Sequence, residues 1–165
     1  MEISLQNGEL NSPVYKSCAF TGHRHLGDDF SPSKMRKLIK TAIKEGIEVF
    51  YCGMAMGFDL LAGEYIAKQK KSHPCLRLIA CIPCYGQEKY FSDKDKKRYA
   101  SLLKKADETV MLSDHYFNGC MQIRDKYMVE RADVLIAYCN QETGGAAYTV
   151  KIFKKMKPDA PIYRI

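Results

Sequence analysis

Ile47-Glu48-Val49-Phe50-Tyr51-Cys52-Gly53-Met54-Ala55-Met56-Gly57-Phe58-Asp59 decides the fold. The run Ile47 to Cys52 is short, apolar and rich in β-branched and aromatic residues, which is the pattern of a strand buried on both faces. Gly53 to Gly57 form a glycine-containing turn, and from Phe58 to Lys71 the apolar residues recur at helical spacing. A strand entering a helix through such a turn is the first half of a crossover unit. The same alternation repeats outward in both directions. Strands are predicted over Ser17 to Thr21, Leu76 to Ile82, Glu108 to Leu112, Val134 to Cys139 and Pro161 to Ile165. Helices are predicted over Ser33 to Glu45, Asp93 to Ala106, Gly119 to Arg131 and Gly145 to Lys157. Six strands separated by five amphipathic helices imply right-handed crossovers, hence an α/β fold of doubly wound, Rossmann-like type: three layers around a mainly parallel sheet of about six strands. Ligands bind such sheets outside the carboxyl ends of the strands, where strand order reverses, so the strand-to-helix loops are where function is expected.

The chain has 165 residues, enough for one full three-layer core. We expect an N-terminal extension over residues 1–15 and a single domain over 16–165. No apolar run approaches the roughly 20 residues of a membrane span, and Met1 to Pro13 lack both a basic start and an apolar core, so a cytoplasmic location with no membrane partner is expected. Seven cysteines is an odd count, most of them in strand-like runs, which reads as reduced, buried thiols. Cys81 and Cys84 form a lone CxxC without a second ligand pair, so no metal site is expected. The net charge of +7 raises the question of nucleic acid. Its basic residues, however, fall on the outer faces of several helices (Lys34, Arg36, Lys37, Lys40 and Lys44; Lys94 to Arg98; Lys151, Lys154, Lys155 and Lys157), a pattern of solvated faces rather than a phosphate-binding stripe.

Three loops stand out as carriers of chemistry, and a fourth adds a candidate. After the first strand, Thr21-Gly22-His23-Arg24 places a hydroxyl, an imidazole and a guanidinium at the carboxyl edge, and arginine's planar fork suits phosphate. After the second, Gly53, Met54 and Gly57 precede a helix whose unpaired amides and positive dipole end favour an anion, with Asp59 in the first turn. Gly53-x-x-x-Gly57 is neither the dinucleotide fingerprint nor a P-loop. After the fifth strand, Gly144 and Gly145 again open a helix. Two such cradles in one sheet suggest a nucleotide or sugar phosphate. Pro83, Tyr85 and Gln87 follow the third strand near the same cleft, where Gln87 could read a base or ribose edge.

These motifs resemble the SLOG superfamily, which includes the LOG phosphoribohydrolases and the DprA proteins, and within it the YpsA branch. The likeness lies at Cys18-Ala19-Phe20-Thr21-Gly22-His23-Arg24, at Gly53 to Asp59 and at Arg124-Asp125-Lys126-Tyr127-Met128-Val129. It covers nearly the whole chain and implies a Rossmann-like fold. Met121 to Met128 is similar to the M-x-x-R-K-x-x-M segment of the phosphoribohydrolases, which aligns Arg124 with their active-site arginine. Their PGGxGTxxE element corresponds to Thr143-Gly144-Gly145-Ala146-Ala147-Tyr148-Thr149-Val150-Lys151, so Thr143 replaces the proline and Lys151 the catalytic glutamate. An ammonium there opposes the oxocarbenium-like charge of glycosidic cleavage, which argues against that activity.

The resemblance implies binding of a nucleotide-derived ligand such as NAD, ADP-ribose or a nucleoside phosphate. A sensor role, a protein partner in stress or cell-division control and a homo-oligomer such as a homodimer also follow by likeness only. The expected binding residues are Thr21, Gly22, His23, Arg24, Gly53, Met54, Gly57, Asp59, Gln87, Arg124, Gly144 and Gly145. Arg124 and Asp59 are also the catalytic candidates. One alternative is an N-glycosidic hydrolase in which Asp59, Glu64 or Glu142 supplies the carboxylate; the other is a DprA-like nucleic-acid adaptor using the basic helix faces.

Overall fold

The structure, a computed structural model, describes residues 14–165, so the extension expected over 1–15 falls mainly outside the described residues. Six strands, β1 (Ser17–Gly22), β2 (Val49–Cys52), β3 (Arg77–Ile82), β4 (Glu108–Met111), β5 (Val134–Tyr138) and β6 (Ile162–Arg164), alternate with five helices, α1 (Pro32–Lys44), α2 (Phe58–Gln69), α3 (Asp93–Lys105), α4 (Cys120–Arg131) and α5 (Gly145–Met156). Every predicted element is present, each end within two residues of its expected place. The addition is a 3-10 turn, Gln87–Tyr90, after β3.

All pairings are parallel and the order is β4-β3-β2-β1-β5-β6. The chain steps one way from β1 to β4, then returns to pair β5 with the free side of β1, in the register Phe20 to Ile136 and Gly22 to Tyr138. Right-handed crossovers require that this reversal move the helices to the other face. Accordingly, one core joins Phe20 and Phe50 of the sheet to Ile39 of α1, Phe58 and Leu60 of α2 and Tyr99 and Leu102 of α3. The other joins Ala19, Ile79, Leu135 and Ala137 to Met128 and Val129 of α4 and Val150 and Phe153 of α5. Ala19 and Phe20 facing opposite cores is the period-two signature of a strand covered on both sides.

Local chemistry fits each element. Ser31 caps α1, its hydroxyl accepting from the Lys34 amide at 3.1 Å, and Pro32 opens the first turn where its missing N–H costs nothing. Ser92 caps α3 in the same way through the Asp95 amide. The helices α2 and α5 lack a side-chain cap and begin on glycines, which leaves their first amides to the loops above the sheet. Among the described residues no helix is long and apolar enough to cross a membrane. The CxxC pair consists of free, buried thiols, and burial pushes Cys81 up to about 12.

Candidate functional site at the reversal of the sheet

Strand order reverses between β1 and β5, and the loops leaving these strands part to form a cavity of about 190 Å³. Thr21, Gly22, His23 and Arg24 line it from β1, Ala55 and Asp59 from the β2–α2 connection, Met121, Arg124, Asp125 and Met128 from α4, and Gly145 and Ala146 from α5. Seven of the twelve sequence-predicted binding residues therefore meet here: Thr21, Gly22, His23, Arg24, Asp59, Arg124 and Gly145.

The loops leaving β1 and β5 are tied to each other by the chain's own bonds. The Tyr138 hydroxyl donates to Asp29 Oδ1 at 2.6 Å and accepts from the Gly27 amide at 3.1 Å, while Asn140 Nδ2 donates to Asp29 Oδ2 at 2.8 Å. The Tyr138 bond, with the Asn140 bond behind it, lowers the Asp29 carboxyl below its usual range. His23 Nε2 accepts from the Asn140 amide at 2.9 Å, and its ring stands edge-on to Tyr138, 5.2 Å between centroids. That bond takes the Nε2 lone pair, so His23 ties the β1 loop to the β5 loop.

The two glycine loops turn out unlike. In the β2–α2 connection the protein has taken the space expected for an anion. Gly53 presents its carbonyl, which accepts from Arg124 Nη1 at 2.5 Å and from Gln87 Nε2 at 3.0 Å. Met54 is fully buried, with a left-handed φ of 60°. Gly57, φ 81°, lies so close to the β1 loop that a Cβ would meet the Arg24 carbonyl oxygen at 2.2 Å. The Phe58 amide donates to the His23 carbonyl at 3.2 Å and the Ala55 amide to Asp59 Oδ2 at 3.3 Å. Gly53, Met54 and Gly57, expected to turn amides to a ligand, do not line the cavity; Gly53 is closed in by Arg124 and Asp59, and Gly57 by the β1 loop. At α5 the reverse holds. Gly144, φ 98°, caps the helix, and a Cβ on Gly144 or Gly145 would meet nothing within 4 Å. The amides of Gly145, Ala146 and Ala147 find no partner among the described residues.

Arg124 and Asp59 form the floor. Both are buried, 5% and 6% exposed, and they close on Gly53 from two sides: a Cβ there would lie 2.8 Å from Arg124 Nη1 and 2.9 Å from Asp59 Oδ2. Arg124 Nε also donates to Asp125 Oδ1 at 2.7 Å. Against the cost of burial, Asp125 and Asp59 hold the guanidinium above its ordinary pKa. Burial pushes Asp59 up to about 7 despite the attraction of Arg124, and its Oδ1 has no hydrogen-bond partner.

The remaining candidates lie elsewhere. Gln87 is buried against Gly53 but opens on a second, larger cleft. Glu64 is paired with Arg98 on the outer surface of α2, and Glu142 is exposed. Lys151 does not line the cavity; its ammonium donates to the Glu142 carbonyl at 3.3 Å, bracing the loop before α5. The cavity residues not anticipated are Phe20, Asp125, Ala55, Ala146, Met121 and Met128. Asp125 had a signal, its place directly after an arginine that needed a counter-charge.

An all-parallel doubly wound sheet, with a polar cavity at its reversal, defines a Rossmann-like α/β protein. A match to the YspA SLOG family spans residues 31–165. The chain belongs to that family. UPF0398 proteins are similar to it: one from Bacillus licheniformis is 30% identical over 128 residues, covering 74% of this chain and 70% of that one. UPF0398 protein YpsA of Bacillus subtilis is 27% identical over 165 residues, covering 91% of this chain and 92% of that one. Among solved structures, DNA processing protein A from Helicobacter pylori, described with a single-stranded DNA binding mode, superposes with a TM-score of 0.65 at 17% identity. The match covers 92% of this chain and 65% of that one. DNA processing protein A from Streptococcus pneumoniae gives 0.62 at 17% identity, covering 91% of this chain and 50% of that one. This chain thus spans half to two thirds of those proteins, and the likeness is one of fold.

Proposed function

We propose that the protein binds a nucleotide-derived ligand whose sugar-phosphate portion lies in the cavity between β1 and β5. One observation carries this reading: unpaired donors and an unpaired acceptor share one small space. The first amides of α5, with the positive end of the helix dipole behind them, call for an anion. Asp59 Oδ1, out of reach of bulk water and without a partner, calls for a donor such as a ribose hydroxyl. Exposed Arg24 at the rim adds one positive charge, and buried Arg124 supplies another. A sugar phosphate carries an anion and hydroxyl donors at the spacing of a few bonds, and a simple anion does not.

The test follows the melting temperature of the purified protein with NAD, ADP-ribose, AMP and ribose 5-phosphate, with chromatography of the same mixtures for products. Saturation at 100 times Kd adds about 2.7 kcal/mol of stability, so a clear upward shift with at least one of these is expected; a flat response to all four refutes the proposal.

A second reading has its own support. A carboxyl group with a pKa of about 7 is poised for proton transfer at neutral pH, and Asp59 alone of the three sequence-nominated carboxylates lines the cavity. Release of free base, abolished in Asp59→Asn, would make the protein an N-glycosidic hydrolase; retention of intact nucleotide supports a binding protein.

A further inference from the structure

The cavity of about 190 Å³ is smaller than the roughly 300–1,000 Å³ that encloses a whole small-molecule ligand. Arg24, Ala55 and Met121 form a wall that it shares with a second opening, a cleft of about 1170 Å³ between the Gln87–Tyr90 turn, α3 and the loop before α4. Tyr85 and Tyr116 stand at this cleft 76% and 68% exposed, on loops tied together by the Tyr85 amide donating to the Ser113 carbonyl at 3.0 Å. Lys89 and Lys96 line the same space, with Glu88 the one acidic residue among the lining side chains. Aromatic faces between basic groups suit a planar ring attached to an anion.

Gln87 supplies the second, independent observation. The side chain is 9% exposed and lines the cleft, with Nε2 donating to the Gly53 carbonyl at 3.0 Å. A carbonyl accepts and does not donate, so this bond fixes which end of the amide is oxygen. Oε1 is left an acceptor with no partner among the described residues. An acceptor withdrawn from water without a donor is costly, and a ligand N–H removes that cost.

We propose that this cleft seats a nucleobase bearing an exocyclic amine, stacked on Tyr85 or Tyr116, with the amine donating to Gln87 Oε1. This rests on the reading of the smaller cavity as a sugar-phosphate seat and gives that ligand its base. The ligand enters across Arg24, Ala55 and Met121, and Arg124 and Gln87, both bonded to the Gly53 carbonyl, link its two ends through a single atom.

The experiment is calorimetric titration of the full chain with AMP, GMP, CMP, their nucleosides and ribose 5-phosphate. It uses wild type, the exposed-surface variant Tyr85→Ala/Tyr116→Ala, and Gly145→Asp, which changes the other seat. At least one nucleoside monophosphate is expected to bind about tenfold or more tighter than ribose 5-phosphate. The tyrosine variant should lose about fivefold or more on the nucleotide and nothing on ribose 5-phosphate. Equal affinity for nucleotide and ribose 5-phosphate, or indifference to the tyrosines, overturns the base site while leaving the phosphate seat standing. Nucleoside binding that needs the tyrosines and ignores Gly145→Asp supports the base site and fails the phosphate seat. No binding of any compound overturns both. Sedimentation of the same variants closes the account: dissociation of an oligomer without change in nucleotide affinity assigns the tyrosines to a second copy of the chain and overturns the proposal.

Discussion

Replacing Asp59 by asparagine should change how stability depends on pH. In the folded protein burial holds this carboxyl near 7, against a value of 3.8 for an unperturbed side chain. A raised carboxyl pKa means that the folded state binds its proton more tightly than the unfolded chain does. Its stabilising effect is therefore complete below about pH 4 and is lost as pH rises through 7. The difference of about 3 units corresponds to about 4 kcal/mol between acid and neutral pH. Asparagine keeps the shape and an oxygen for the Ala55 amide but cannot ionise. In guanidinium unfolding of the ligand-free protein from pH 4.5 to 8, followed by circular dichroism, the variant should gain on wild type as pH rises, by about 3 kcal/mol across this range, with about 1 kcal/mol of the effect lying below pH 4.5. Any constant cost of the substitution shifts the whole curve and leaves this divergence intact, and the carboxylates that Asp29, Asp107 and Asp114 keep below their usual range act alike in both proteins. Two curves parallel to within about 0.5 kcal/mol would refute the placement of Asp59 as a buried, incompletely paired carboxyl.

Gly145→Asp meets no steric obstacle and puts a carboxylate in the first turn of α5, so stability should hold or rise by about 0.3–1 kcal/mol while affinity for AMP falls at least about tenfold; melting curves and calorimetry read both. Gly57→Ala places a Cβ 2.2 Å from the Arg24 carbonyl oxygen at a φ of 81°, and should cost about 2–4 kcal/mol in denaturant unfolding. Ser31→Ala removes the acceptor for the Lys34 amide and should cost about 1 kcal/mol with ligand binding unchanged, because the α1 cap lies outside the cavity.

The fold was legible because its signals are local. Cys18 to Phe20, Phe50 to Cys52 and Leu135 to Tyr138 are apolar runs bounded by turn residues, and their alternation with amphipathic helices admits few topologies. Thr21 to Arg24, Asp59, Arg124 and Gly145 were also legible as a group, since each lies at or near the carboxyl edge of a parallel sheet. What the Gly53 to Gly57 loop does with its amides was not. In sequence it and Thr143 to Ala147 are the same object, small residues opening a helix after a strand. Their difference is tertiary: the β1 loop drops its His23 and Arg24 carbonyls onto the start of α2, while among the described residues nothing lies within 4 Å of a Cβ placed on Gly144 or Gly145 at the start of α5.

That asymmetry also bears on what the proposed site would select. If both helix starts were open, two cradles would draw phosphate with little regard to what is attached. With α2 closed by the chain's own carbonyls, Arg124 is drawn inward to Gly53 and Asp59 is left facing the space with an unpaired oxygen. One end of the cavity then asks for negative charge and the other for a hydrogen-bond donor. A free phosphate ion brings its charge and its P–OH donor on one centre, beside a carboxyl that burial pushes up to about 7. On the proposed reading a phosphorylated sugar presents its anion and its hydroxyls on separate atoms and can satisfy both, so preference for an organic phosphate over the inorganic ion is the expected outcome.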